Sequence, residues 1–312
     1  MQTIRLTYPD VLINEPMPKT VAALGFFDGI HQGHHAVITE AVQIAQLEQK
    51  ESAVITFHPH PSVVLQQSNK SVQYITPIAE KEALLSEMGV DRLYIITFNK
   101  ALSQLSPEQF IEHFIVDLHI EHVVAGFDFT FGHKGKGNME NIATFGFDAL
   151  TTTVIDKIEL QNEKVSSTKI RQALKVGNVL EVNTLLGRPY EASGTVITGD
   201  KRGRLLGFPT ANIQVDNLKL LPKQGVYAVK ITVEDVIYEG MANLGVKPTF
   251  IKEETQPTLE VFIFDFDQEI YGENVTVYWY EYIRDEKKFN GVDEIVQQLT
   301  KDEQQIRTFF TE

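Results

Sequence analysis

One stretch decides the fold of the first half of this chain: Thr20-Val21-Ala22-Ala23-Leu24, which runs directly into Gly25-Phe26-Phe27-Asp28-Gly29-Ile30-His31-Gln32-Gly33-His34. The apolar run is typical of a strand, and the amphipathic pattern from His34 to Gln49 is typical of a helix. A glycine-rich turn between a strand and a helix presents backbone N–H groups and the positive end of the helix dipole to an anion. The stretch therefore predicts a phosphate site at the edge of an α/β sheet.

The same alternation of β-rich runs and helical patterns continues to about residue 180. This alternation is typical of a parallel sheet with crossover helices. In Ser106-Pro107-Glu108-Gln109 an N-cap, a proline at N1 and a capping-box glutamine predict another helix start. The predicted strands are Thr20–Leu24, Ser52–Phe57, Arg92–Phe98, His122–Ala125 and Thr151–Ile155.

The pattern changes at Gly187-Arg188-Pro189, after a helical stretch that starts near Ser167 and runs past Gly177 to Leu186. Short strands without intervening helices follow, and they predict a small antiparallel β-barrel with a closing helix over 292–310. We therefore expect two domains: residues 1–186, α/β with a Rossmann-like parallel sheet, and residues 187–312, a barrel. The barrel strands are predicted at Gly194–Thr198, Val226–Val233, Val236–Ala242, Leu259–Phe266 and Val275–Ile283.

Composition excludes several classes of protein. The chain has 312 residues, 43% hydrophobic and 22% charged, which suits a globular protein with real cores. Its net charge of -14 disfavours a protein whose main task is to bind nucleic acid. With no cysteine, thiolate chemistry and disulfides are excluded, and residues 1–18 are neither a signal peptide nor a membrane span. We expect a cytoplasmic protein.

The histidines of the first stretch suggest its chemistry. His31 and His34 flank Gly33 and can donate hydrogen bonds to phosphate oxygens. Such a site binds the charge that develops as pyrophosphate leaves, so it requires no covalent nucleophile. Two alternatives remain open at this point: the histidines simply cap the helix, or they bind zinc with others drawn from His35, His58 and His60, although that spacing suits no compact tetrahedral set.

Two later segments are expected at the same carboxyl edge of the sheet, where open α/β folds bind ligands. Gly126–Asn138 is aromatic and basic, so its rings either pack on a planar ligand or belong to the core. Val165–Arg171 places hydroxyl groups at a helix start and a cation one turn later, which gives either a second anion site or an ordinary cap with a surface arginine.

The second half contains a segment suited to phosphate and a hard cation. Gly199–Gly207 is glycine-rich and basic enough to fold over phosphates, although a plain surface loop has the same composition. Directly after it, the Thr210 hydroxyl and the Asn212 carbonyl oxygen are neutral ligands suited to Mg²⁺. Further on, Glu260 shares one strand face with Phe262 and Phe264; the periodicity alone favours a solvent-facing carboxylate there.

Together, Gly25–His34, Gly126–Asn138 and Val165–Arg171 resemble the nucleotidyltransferase half of the bacterial bifunctional riboflavin kinase/FAD synthetase family. The second half resembles the kinase domain of the same family, and the resemblance covers nearly the whole chain in order. The segments that carry it there are Gly199–Gly207, Phe208–Asn212, Asn243–Gly245 with Pro248 and Thr249, Leu259 with Glu260, and Asp265 with Phe266.

The resemblance implies two ATP-dependent reactions assisted by Mg²⁺: riboflavin is phosphorylated to FMN in the second domain, and FMN is adenylylated to FAD in the first. It also implies a role for each matching residue. In the adenylyltransferase, His31 and His34 are catalytic, Gly25, Phe27, Asp28, Gly33, Ser166, Ser167, Thr168 and Arg171 bind nucleotide, and Asp128, Phe129 and Asn138 bind flavin. In the kinase, Glu260 is the general base, Gly199, Gly207, Thr210 and Asn212 bind nucleotide, Thr210 and Asn212 also hold the metal, and Arg284 lies on the flavin side.

Rival hypotheses predict different features. A pantetheine-phosphate adenylyltransferase or an aminoacyl-tRNA synthetase shares the His-x-Gly-His signature, but neither explains the barrel segments. A flavin-binding regulatory protein that has lost turnover would lack Glu260, Asn212 or His34, and all three are present. We expect small-molecule substrates only, with no nucleic acid, membrane or obligate protein partner.

Overall fold

The computed structural model describes residues 1–10, 17–65, 72–145, 150–160, 162–199, 202–246 and 257–311. The chain separates into two compact units, Met1–Ser166 and Ser167–Glu312. Each unit is described by itself below. The domain boundary between residues 186 and 187 stays a prediction.

A parallel sheet forms the centre of the first unit. Within the described ranges it contains six strands in the order β1-β4-β3-β2-β5-β8. The strands are β1 (Gln2–Leu6), β2 (Thr20–Leu24), β3 (Glu51–His58), β4 (Arg92–Thr97), β5 (Ile120–Gly126) and β8 (Thr151–Ile155). Short antiparallel pairs join β6 (Thr130–Phe131) to β7 (Gly137–Asn138) and β9 (Glu159–Leu160) to β10 (Glu163–Lys164). The predicted parallel sheet is confirmed.

The helices of the first unit connect these strands. They are α1 (Gln32–Glu48), α2 (Pro61–Leu65), α3 (Ile78–Glu87) and α4 (Pro107–Ile111). The predicted start of α4 is confirmed: the Ser106 hydroxyl accepts from the Gln109 N–H, and the Gln109 side chain accepts from the Ser106 N–H. A π-helical turn over Glu112–Val116 continues α4.

The strand order places a topological switch beside β2. From β2 the chain adds β3 and β4 on one side, whereas β5 and β8 lie on the other side. Ligands bind outside the carboxyl ends of strands at such a switch. The loops that leave β2 and β5, Gly25–His31 and Phe127–Phe129, start at these two neighbouring strand ends.

The second unit begins with α5 (Ser167–Val176) and α6 (Val179–Leu186) and continues as a closed antiparallel barrel. The barrel order is β11 (Tyr190–Ile197), β12 (Ala211–Val215), β15 (Pro257–Ile263), β14 (Val236–Val246), β13 (Gly225–Val233) and β16 (Asn274–Arg284), with β16 returning to β11. The short α7 (Arg202–Leu205) precedes β12, and α8 (Val292–Thr311) closes the chain. The predicted barrel and its final helix are confirmed.

The helical stretch predicted from Ser167 to Leu186 is two helices. The chain breaks at Gly177, whose φ is +83°. Both helices contact the rest of the second unit: the Asn183 side chain donates to the Trp279 carbonyl oxygen at 2.8 Å and accepts from the Tyr190 N–H at 2.7 Å. The Lys223 N–H donates to the Leu174 carbonyl oxygen at 2.9 Å.

Candidate functional sites

The loop after β2 begins the candidate site of the first unit. His31 is the N-cap residue of α1, and its Nδ1 accepts from the His34 N–H at 3.2 Å. The two imidazole rings stack with centroids 3.6 Å apart and 16° between their planes. Because Nδ1 of His31 is an acceptor, the proton of the neutral ring lies on Nε2, which can donate to an anion. His31 therefore caps α1, and its role toward phosphate stays a prediction.

His34 differs from His31 in its hydrogen bonding. Its Nδ1 is buried and has no hydrogen-bond partner among the described residues. Burial is the main cause that holds the pKa of His34 well below its usual value, and the positive charges of Lys81 and Lys164 act in the same direction. A buried ring nitrogen without a partner needs an explanation, and a bound ligand is the natural one. His34 is thus a neutral polar group available to a substrate at the start of α1.

The loop itself has an unusual backbone. Phe27 and Ile30 adopt positive φ values of 51° and 41°. The Phe27 ring packs so closely on Gly25 that a Cβ at Gly25 would lie 2.8 Å from it. Asp28 is buried, and its Oδ1 accepts from the Thr76 N–H at 3.1 Å. The buried side chains of Phe27 and Asp28 thus help to hold the loop in this shape.

Lys81 lies beneath this loop, and sequence reasoning missed it. Its side chain is 1% exposed. Its Nζ donates to the Phe26 carbonyl oxygen at 2.8 Å and to Thr56 Oγ1 at 3.0 Å. The signal was the helical period: Ile78, Lys81 and Leu85 share one face of α3, so a lysine occupies a core position.

The segment after β5 contains the predicted flavin residues. Asp128 is exposed and pairs with Lys164. Phe129 is half-buried, with its ring centroid 6.2 Å from that of Phe131, which is itself a core residue. Asn138 Oδ1 accepts from the N–H groups of Glu140 and Asn141, both at 3.0 Å, so its side chain shapes the turn. Flavin binding by Asp128, Phe129 and Asn138 stays a prediction.

The hydroxyl segment is divided between the two compact units. Ser166 is the last residue of the first unit, whereas Ser167, Thr168 and Arg171 lie on α5 in the second. Thr168 is exposed, and the other three are half-buried. Their contribution to a site with His31 and His34 stays a prediction.

The candidate site of the barrel is built across three neighbouring strands. Asn212 of β12 is the register partner of Glu260 of β15, and Glu260 is in turn the partner of Asn243 of β14. Residues directly opposite each other in a sheet share a face. Glu260 and Asn243 line a cavity of about 280 Å³ together with Thr210. Glu260 is thus half-buried and lines a cavity on the strand face opposite the buried Leu259 and Val261, and its role as general base stays a prediction.

The turn before β12 fits closely against Asn212. A Cβ at Gly199 would collide with the Asn212 side chain. Gly207 has φ +82°, and the Phe208 N–H donates to the Gly203 carbonyl oxygen at 2.9 Å. Asp200 and Lys201 of this predicted phosphate segment lie outside the described residues, as do Pro248 and Thr249. In the part of the chain that is described, no group of three His, Asp or Glu side chains could hold a metal ion.

Arg284 lies at the same cavity but is already paired. Its Nε and Nη2 donate to Asp302 Oδ2 of α8 at 2.8 and 2.7 Å. The Asp302 side chain is only 2% exposed, and its Oδ1 accepts from Gln298 at 2.7 Å. Arg284 therefore connects the cavity to the closing helix, and its role toward flavin stays a prediction.

Comparison with known proteins gives matches along the whole chain. A family model described as FAD synthetase matches residues 13–169, and one described as riboflavin kinase matches residues 186–310. The bifunctional riboflavin kinase/FMN adenylyltransferase of Listeria monocytogenes is 48% identical over 99% of this chain and 98% of its own. The protein of the same description from Bacillus subtilis is 46% identical over 100% of this chain and 99% of its own.

A solved structure also matches. The crystal structure of a Streptococcus pneumoniae protein described as a macrolide-efflux protein is 37% identical, covers 98% of this chain and 99% of its own, and has a TM-score of 0.90. Among the residues described here, no helix is both long enough and apolar enough to cross a membrane.

Proposed function

The chain belongs to the bifunctional riboflavin kinase/FMN adenylyltransferase family, and we propose that its two reactions take place at the two candidate sites described above. The barrel half phosphorylates riboflavin with ATP to give FMN and ADP. The parallel-sheet half adenylylates FMN with a second ATP to give FAD and pyrophosphate. The observation that carries this conclusion is the order of the two family matches, 13–169 and 186–310, which pairs each activity with one of the two candidate sites.

In adenylyl transfer, a phosphate oxygen of FMN forms a bond to the α-phosphorus of ATP as the bond to the pyrophosphate oxygen breaks. The negative charge grows on the leaving pyrophosphate. His31 can donate from Nε2 because Nδ1 accepts from the His34 N–H, and the N-terminus of α1 adds its dipole. No protein nucleophile takes part. The N-terminal residues of α5, Ser167, Thr168 and Arg171, are assigned to the triphosphate by the family resemblance.

In riboflavin phosphorylation, the terminal ribityl hydroxyl attacks the γ-phosphorus, and the bond to the ADP oxygen breaks. Glu260 is the general base that accepts the hydroxyl proton: its carboxylate lines the cavity with Thr210 and Asn243, and it is the register partner of both Asn212 and Asn243. Asn243 is available to orient the hydroxyl or a phosphate oxygen.

Thr210 and Asn212 fit a bound Mg²⁺. They offer a hydroxyl and an amide oxygen beside the Glu260 carboxylate, and oxygen ligands of this kind, completed by substrate phosphates, are what Mg²⁺ prefers. When bound, the ion would neutralise charge on the phosphates of ATP. The cytoplasmic location and the absence of an obligate protein partner stay predictions.

The test is to incubate the protein with riboflavin, ATP and Mg²⁺ and to separate riboflavin, FMN and FAD by chromatography over time. We expect FMN first and FAD later. Glu260→Gln should abolish FMN formation but still convert supplied FMN to FAD, whereas His31→Ala should accumulate FMN. If Glu260→Gln also failed to use supplied FMN, the placement of the two reactions would be wrong. If wild-type protein made neither product, the regulatory alternative would replace the enzyme.

A further inference from the structure

Lys81 is a buried lysine in direct contact with the loop that begins the adenylyl-transfer site. The first link is to the backbone, because Nζ donates to the Phe26 carbonyl oxygen at 2.8 Å. The second is to Thr56 of β3, whose Oγ1 accepts from Nζ at 3.0 Å and itself donates to the same carbonyl oxygen at 2.8 Å. Nζ also lies 5.1 Å from the centroid of the Phe26 ring. Strand β3, helix α3 and the loop thus meet at one carbonyl group.

Packing alone does not explain a lysine at this position. Its neighbours on the inner face of α3 are Ile78 and Leu85, and both pack in the apolar core. An ammonium group is costly to bury. A methionine or leucine would fill the same space at lower cost. Residues that a fold accommodates at such a cost are concentrated at functional sites.

We propose that Lys81 is a positioning residue for adenylyl transfer, which fixes the Phe26 carbonyl group and so holds the Gly25–His31 loop in its anion-binding shape. The inference rests on the proposed placement of adenylyl transfer at this loop. Two residues of the loop, Phe27 and Ile30, have positive φ. Such a backbone persists only where the surrounding structure determines it, and the bonds from Lys81 and Thr56 are part of that support.

The charge of Lys81 has a second effect on the site. The titratable groups that face it are Asp28 from the loop, His34 from α1 and His58 from β3. Asp28 favours the ammonium form, but burial dominates and lowers the pKa of Lys81 to about 8. The positive charge in turn helps keep His34 and His58 neutral. Lys81 therefore loses its proton within the pH range of an ordinary assay.

The experiment measures FAD formation from supplied FMN, with riboflavin phosphorylation by the same full-length protein as an internal control for folding. Lys81→Met should lower kcat for FAD formation by about tenfold or more, the effect of losing a hydrogen bond from a charged group. Its FMN formation should stay unchanged. Thr56→Val removes one hydroxyl and keeps the charge, so it should cost only a few-fold. Equal kcat values in wild type and Lys81→Met would overturn the proposal.

A pH profile separates positioning by the ammonium group from a purely structural role. Wild-type FAD formation should fall as the pH rises through about 8, the pKa of Lys81. Lys81→Arg stays charged and should lack this fall, as should Lys81→Met at its lower plateau. An unchanged alkaline fall in both variants would refute the role of Lys81. Full FAD formation by His31→Ala would instead refute the placement of the reaction at this loop.

Discussion

Two buried residues of the first candidate site, His34 and Lys81, carry polar groups at an energetic cost. His34 and Lys81 are both shifted toward their neutral forms, chiefly by burial. Yet each keeps a polar group near the start of α1: an unpartnered ring nitrogen in one case and an ammonium group bound to a loop carbonyl in the other. The site is thus built from groups that water would stabilise better than the protein interior does.

The first prediction concerns the stability cost of Lys81. Its pKa falls from 10.5 in the unfolded chain to about 8 in the folded protein. A shift of that size corresponds to about 3 kcal/mol. Below pH 8 the folded protein carries the full penalty, and the penalty shrinks as the pH rises from about 8 to 10.5, because only the unfolded chain then holds the proton. Lys81→Met should therefore melt at a higher temperature than wild type at neutral pH, with the difference shrinking in alkali.

The control is the conservative variant Lys81→Arg, which keeps a buried charge and should not gain stability. Thermal unfolding followed across the pH range makes the comparison. A Lys81→Met protein that melts below wild type at neutral pH would mean that the bonds to Phe26 and Thr56 outweigh the cost of burial.

The second prediction concerns acid. Three histidines of the first unit, His34, His58 and His122, have pKa values lowered chiefly by burial. In the unfolded chain they titrate near 6.5, so as the pH falls below that value the unfolded chain takes up protons that the folded protein does not. Stability must then decrease with falling pH. Circular-dichroism melts should show this decrease before the carboxylates titrate, and His34→Gln should weaken it; a flat response would contradict the shifts.

At the scale of elements, α8 and the barrel are linked by one buried ion pair. Arg284 at the end of β16 donates twice to Asp302, whose side chain is 2% exposed. Leu299, one turn before Asp302, lines the same cavity as Arg284. The helix therefore sets the position of the chain that leaves β16.

Asp302→Asn is the third prediction. The amide keeps the shape but leaves the guanidinium of Arg284 without its counter-charge, at an expected cost of about 3 kcal/mol in the second unit, since the pair is nearly buried. The KM for riboflavin should rise, and FAD formation from FMN should not change. The matched control is Asp265→Asn, whose pair with Arg307 is exposed and should contribute much less to stability. Equal effects of the two variants would rule out a special role for the Arg284–Asp302 pair.

How far the sequence predicts these elements depends on whether the signal is local. The capping box at Ser106 and the strand Thr20–Leu24 are local patterns, and both are found. β1 was missed because it is a short edge strand in which only Ile4 and Leu6 alternate with polar residues, and so brief an alternation is a weak signal. β12 was missed because Thr210 and Asn212 were interpreted as ligand residues, although the strand begins between them at Ala211.

The sites show the same limit. The motif at His31 and His34 predicts a phosphate loop, but nothing in it indicates Lys81, which lies 47 residues beyond His34 in the sequence. Such a contact exists only because α3 packs under the loop. Likewise, the alignment of Asn212, Glu260 and Asn243 depends on the register of three strands, which the alternation of residues along one strand cannot give.

At the scale of the whole molecule, FMN connects the two reactions, because it is the product of one and the substrate of the other. His31 and His34 belong to the first compact unit, whereas Thr210, Asn212 and Glu260 belong to the second. Variants that disable one reaction should therefore leave the other intact within the same chain. That separation allows a test of whether FMN must be passed on inside one molecule.

The fourth prediction is complementation between two full-length variants. We expect Glu260→Gln to make no FMN and His31→Ala to be impaired in using it. Mixed with riboflavin, ATP and Mg²⁺, they should form FAD after a lag, because FMN released by one protein diffuses to the other. Chromatography of the three flavins over time measures the lag, which should shorten as the concentration of His31→Ala, the source of FMN, is raised. Each variant alone is the control. The contrary result is a mixture that accumulates FMN and forms no more FAD than His31→Ala does alone, although Glu260→Gln converts FMN that is supplied to it. In that case Glu260→Gln does not use FMN at the concentration that His31→Ala releases. The two reactions would then depend on transfer of FMN within one chain.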